Sequence, residues 1–184
     1  MEQLVLPQDS SRSQRRIPTP SIDAKVIATD TLTDGEVRVR RNRLRDHLDS
    51  FGDLAIRDVG ENRPRRLLEF RLSAPGDPCD QEVEALFREY YDRAGARAWR
   101  IAKYTYEYRD LRRGTRLAYH LHSLDASPEL VPHAHCGGEA GDETGHLRAV
   151  PYELMEANSI FMKLYASDAD PDCGSFLALA PTRP

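Results

Sequence analysis

Cysteine is scarce in this 184-residue chain: Cys79, Cys136 and Cys173 are the whole set. An odd number at wide spacings offers no disulfide framework and fits a reducing compartment. Long apolar runs are missing as well. No stretch approaches the roughly eighteen residues that a bilayer-spanning segment needs. The opening MEQLVLPQDSSRSQRR has no basic segment ahead of its short apolar patch, so it does not read as a signal peptide. A cytoplasmic protein with no membrane partner is the expectation. Lysine is nearly absent: of 26 basic residues only Lys25, Lys103 and Lys163 are lysines, and the rest are arginine. A net charge of −4 argues against a protein that coats nucleic acid without selectivity. Positive charge is nevertheless clustered in VRVRRNRLR (37–45), RPRR (63–66) and RDLRRGTR (109–116). Each cluster reads first as a solvated face.

The ends are poor in apolar periodicity. Residues 1–24, with SSRSQRRIPTPS, read as a flexible arm, and residues 167–184 as a tail holding either a short docking strand or a frayed end. Residues 25–166 form a single domain. Within it GEVRV alternates at period two, then gives way to Leu44, Leu48 and Phe51 at helical spacing, so this stretch is ambiguous. DLAIRDV and RRLLEFRLS read as strands. A helix is expected over 80–95, capped by Asp80, striped by Val83, Leu86, Phe87, Tyr90, Tyr91 and Ala94, and stopped by Gly95. WRIAKYTYEYR, RLAYHLHS and VPHAHC are strands, and a closing helix begins near Pro151 and buries Leu154, Ala157, Phe161, Leu164 and Tyr165. The order β-β-α-β-β-β-α with short turns implies an α+β fold: an antiparallel sheet of about five strands with two main helices packed on one face.

Histidine is what this chain concentrates. Five of its six histidines fall between 120 and 146, four of them as the pairs His120/His122 and His133/His135. Strand residues i and i+2 share a side, so each pair points one way. A hairpin centred on Ser127 and Pro128 sets His120 opposite His135 and His122 opposite His133, with all four rings on one face; a slip of one residue separates the pairs. The preceding turn sets Thr105 opposite His120. Lys103, Glu107 and Arg109 then join the histidines, and Tyr104, Tyr106, Tyr108, Leu117, Tyr119 and Leu121 take the other face.

Three readings fit that patch. The first is metal binding by His120, His122, His133, His135 and His146, with Cys136 or Glu139 as further ligands and Zn as the implied ion. The second is acid–base phosphoryl chemistry. It uses His120, His122, His133 and His135, with Glu107 orienting a ring and Lys103, Arg109 and Arg116 holding phosphate. The third is a solvated strand face or interaction module with no chemistry. Two motif matches fall away. HAHCGGE lacks the flanking glycines and second motif of a cupin, and HLHSLDAS lacks the many further ligands of the polymerase-and-histidinol-phosphatase esterases. A Cys136–His135 nucleophile is disfavoured because neighbours in a strand point to opposite sides.

The stretch YTYEYRDLRRGTRLAYHLHS, then VPHAHC, then GHLRAVPYELMEANSIFMKLYA resembles the TumE-type toxins of bacterial toxin–antitoxin pairs and their uncharacterised relatives. Tyr104, Tyr106, Tyr119, His133, His135, His146 and the helix from Pro151 to Tyr165 carry the likeness, over residues 99–165. The chain departs from that pattern in its N-terminal arm, its 80–95 insertion and its additional His120/His122 pair. The resemblance implies a toxin-like protein acting on RNA or nucleotides and restrained by an antitoxin-like protein partner.

Overall fold

The structure, a computed structural model, describes residues 31–73, 82–123, 130–137, 144–146, 154–167 and 172–179. The expected arm over 1–24 lies outside them. Strand β1 (Thr31–Thr33) leads into helix α1 (Asp34–Leu48), then β2 (Asp53–Val59), β3 (Arg65–Ser73), β4 (Val83–Gly95), β5 (Ala98–Asp110), β6 (Thr115–Ser123), β7 (Leu130–Gly137) and β8 (Thr144–His146). Helices α2 (Leu154–Tyr165) and α3 (Cys173–Leu179) follow. The ambiguity at GEVRV resolves as helix because Thr33 and Glu36 form a reciprocal capping box, which satisfies backbone donors that a strand would leave to a neighbour. Val37, Leu44 and Leu48 make the buried stripe of α1.

The sheet is a meander. β2 to β8 lie side by side in chain order, every pair antiparallel, and β1 pairs with the start of β5 beyond the point where β6 ends. An α+β fold with an antiparallel sheet is what the sequence implied, but the described residues hold more strands and a third helix. The helix expected over 80–95 is instead strand β4. Its alternate residues Val83, Ala85, Phe87 and Tyr91 are buried on one side, yet Leu86, on the other side, is only 1% exposed. Cover on both sides makes a strand's apolar run nearly continuous, and a continuous run imitates a helical stripe. Gly95 does not end a helix; it sits at the turn into β5, paired with Ala98.

Register assigns the residues to two faces. Phe70, Phe87, Tyr106, Tyr119 and Ala134 form one row across β3 to β7, with Tyr108 and Leu117 beside it. The three helices among the described residues cover this face. Phe161 of α2 packs on Phe87, Tyr108 and Tyr119, and Phe176 of α3 packs on Tyr119 at 4.6 Å between centroids. Arg40 of α1 reaches the fully buried Glu89, which also accepts from the hydroxyls of Tyr91 and Tyr106. Burial pushes the Glu89 carboxyl up, but Arg40 and these donors outweigh it and hold the carboxyl below its usual range.

Two expectations about the C-terminal end are corrected. Residues 173–179 are helix, neither docking strand nor frayed end, because Phe176 is fully buried in the core. A disulfide joins Cys136 on the helix-covered side of β7 to Cys173 at the start of α3, with Cα atoms 5.4 Å apart. Two of the sparse cysteines therefore do form a cross-link. Three cysteines at wide spacing carry no record of which two will meet.

Candidate metal centre

The face away from the helices carries the histidines. His120 and His122 are alternate residues of β6, His133 and His135 alternate residues of β7, and the β6–β7 register sets His120 opposite His133, Ala118 opposite His135 and His122 opposite Val131. The expected partners, His120 with His135 and His122 with His133, are thus displaced by two residues. A two-residue shift preserves parity, so all four rings still share a face, whereas a one-residue slip would have divided them. The shift also places the small Ala118 across from His135, leaving space for the ring.

The rings form a compact group. Centroids are 4.6 Å apart for His120 and His135, 4.8 Å for His133 and His135, and 5.5 Å for His120 and His133. His122 lies 4.6 Å from His133 and 5.8 Å from His120. One ring nitrogen from each of His120, His133 and His135 lies within 4.8 Å of the others. Three nitrogens around a tetrahedral zinc at its usual bond length stand roughly 3.3 Å apart, so small rotations about χ1 and χ2 would complete the approach. His133 is buried, and the Nε2 of His120 is buried with no hydrogen-bond partner. A buried polar atom without a partner calls for an explanation, and a metal ion supplies one. Burial, reinforced by the charge His135, His133 and His122 would carry, pushes the His120 pKa down to about 3. His120 is therefore neutral at physiological pH, the form that binds a metal.

The other expected site residues are placed as follows. Glu107, one strand away on β5, accepts from Arg109 and from Arg116, each at 2.5 Å, and not from an imidazole. Burial raises its pKa, but hydrogen bonds from Arg116 and Arg109 outweigh that and hold the carboxyl low. Arg109 also reaches Glu84 at 3.2 Å. Glu107 is thus the centre of an ion-pair cluster, and its charge also acts on His120, favouring the protonated ring. Lys103 is exposed on β5 with its ammonium 5.5 Å from the Tyr90 ring. Cys136 faces the core within the disulfide and is withdrawn from the ligand set. His146 lies in β8 in register with Ala134, and Glu139 lies outside the described residues. His47 stands apart on α1, against Phe51.

No helix among the described residues is long and apolar enough to cross a membrane. Comparison with family models, with curated proteins and with solved structures gives no match, so the site is characterised by its own geometry.

Proposed function

We propose that His120, His133 and His135 bind a divalent metal of the zinc class and leave a fourth position open to water. The observation that carries this is the approach of the three ring nitrogens to within 4.8 Å on two adjacent strands. Three protein ligands and one exchangeable position distinguish catalytic from closed structural zinc sites. A metal held this way lowers the pKa of its water towards neutrality and polarises a substrate oxygen. The reaction class is hydrolysis of a phosphoester, and the toxin-like action on RNA or nucleotides takes this form. In this reading Arg109 and Arg116, which share Glu107 on the strands beside the histidines, offer guanidinium donors to the substrate phosphate. An antitoxin-like protein is the partner that goes with that role.

The test is metal content after purification without added metal, followed by cobalt substitution. We expect close to one equivalent of metal and a tetrahedral cobalt absorption band. His133→Ala and His135→Ala should each weaken binding at least 10-fold in competition with a chelating dye, while His122→Ala keeps the ion. A folded protein with no metal and no cobalt band defeats the proposal.

A further inference from the structure

The same sheet face continues away from the histidines into a cleft of about 660 Å³ at the β2–β3 end, lined by Arg57, Val59, Arg63, Arg65, Leu67 and Tyr90. Arginines elsewhere on the sheet are matched to carboxylates. Arg71 pairs with Glu84, Arg88 with Glu69, and Arg109 and Arg116 with Glu107. At the cleft the buried Arg66 is held by Asp58, but for the exposed arginines the matching thins. Arg57 and Arg63 are exposed and have no carboxylate within ion-pair distance among the described residues. Arg65 is exposed and meets only Asp92 at 3.1 Å, and Asp92 is in register with a further exposed arginine, Arg100. Glu69 stands across from Arg57 in the β2–β3 ladder but pairs with Arg88, so Glu61 and Asp92 face Arg57, Arg63, Arg65, Arg100 and Lys103 at this end.

The cleft is connected to the histidines by register. Leu67 pairs with Tyr90 and Tyr90 with Lys103. Lys103 and His122 then flank the last β5–β6 pair, Tyr104 with Leu121, on the same face. From β3 to β7 is four strand spacings, roughly 19 Å. The path therefore runs from unmatched guanidiniums, over an apolar and aromatic floor of Val59, Leu67 and Tyr90, past one ammonium, to the three imidazoles. A small anion would use only one end of it. A ligand with phosphates along its length and flat apolar groups between them uses all of it. Guanidinium forks suit phosphate oxygens, and the floor suits bases that are unpaired and free to lie against it.

We infer that this face is a track for single-stranded nucleic acid, held at the Arg57–Arg63–Arg65 cleft and led across Tyr90 and Lys103 to the histidines. The inference deepens the proposed metal site by naming its substrate class, but the binding it describes does not need the metal.

Fluorescence anisotropy with labelled 20-nucleotide RNA and DNA single strands tests it on the full chain, metal-loaded and metal-stripped. Both forms should bind, with affinity falling as salt rises. Arg57→Glu with Arg63→Glu should weaken binding at least 10-fold and flatten the logarithmic salt slope, with metal content and thermal midpoint unchanged. His133→Ala with His135→Ala should lose the metal and keep the strand within about twofold. Unchanged binding in the double arginine variant overturns the inference, as does equal competition by a polyglutamate or a polyphosphate of matched charge. A variant that binds the strand normally but no metal would sink the proposed metal function only if the wild type also lacked metal.

Discussion

His120 stands directly across from His133 in the β6–β7 ladder, yet its ring lies nearer to His135, two residues further along, at 4.6 Å against 5.5 Å between centroids. The right-handed twist of a strand pair brings one diagonal neighbour closer than ideal flat geometry would. The same holds for His122, which pairs with Val131 but touches His133 at 4.6 Å. Three rings converge only because a direct pair and its diagonal are both occupied by histidine. No single cross-strand pair could supply that.

Acid should weaken the metal-free fold through His120. Its pKa is pushed down to about 3 in the folded chain, chiefly by burial, against about 6.5 when unfolded. Between those values the unfolded state binds a proton that the folded state refuses, so stability present above pH 6.5 is lost as pH falls. The ring is partly exposed, so the effect from pH 7.5 to 5 is at most about 2 kcal/mol. Urea unfolding with a chelator present should show a smaller drop for His120→Gln than for the wild type. Equal drops would refute the assignment.

Removing Glu89 should be costly. Its carboxylate is fully buried and answers Arg40, Tyr91 and Tyr106 at once. Glu89→Ala takes this acceptor from all three, at a cost of about 3–5 kcal/mol in chemical denaturation. Arg40→Met combined with Glu89→Leu should recover most of that loss, because no buried charge is then left alone. If the double change is as harmful as the sum of the singles, the cost lies in packing.

Breaking the Cys136–Cys173 link should destabilise through the unfolded chain. The bridge closes a loop across 37 positions, for which chain entropy gives roughly 4 kcal/mol. Cys173→Ser and wild type under a dithiol reductant should fall to the same denaturation midpoint. Mass spectrometry of an unreduced digest should find the two cysteine peptides joined.

Phe161 is the packing centre of α2. Its ring meets Phe87, Tyr108 and Tyr119 and is fully buried. Phe161→Ala should lower stability by about 3–5 kcal/mol with an unchanged denaturant slope, and Phe161→Leu by less. A loss under 1 kcal/mol would mean that α2 is not seated on the sheet as described.

Much of the site was legible in the residues. Spacing of two within each histidine pair, and tyrosines and leucines at the alternate positions, set one face against the other. That division needs only the period of a strand. The hairpin centre was misplaced by one residue, since turn residues permit several registers, and a slip of one stayed open until burial of the tyrosine and leucine face in the folded sheet chose an even shift. The strand at 83–95 was not legible. Leu86 and Tyr90 look like part of a helical stripe until β3 and β5 are known to lie on both sides of β4, and sequence does not record those neighbours. The meaning of RPRR was equally hidden: Arg66 is buried on Asp58, while Arg63 and Arg65 stand exposed beside Tyr90.

The sequence by itself determined the alternation that gives this sheet an apolar side and a histidine side, because side-chain direction along a strand follows from backbone geometry alone. Tertiary structure decided which residues meet across strands. The convergence of His120, His133 and His135, the Cys136–Cys173 bond and the unmatched arginines at the cleft all depend on register and helix docking. Those are settled by burial of the whole core at once, and no local stretch contains them.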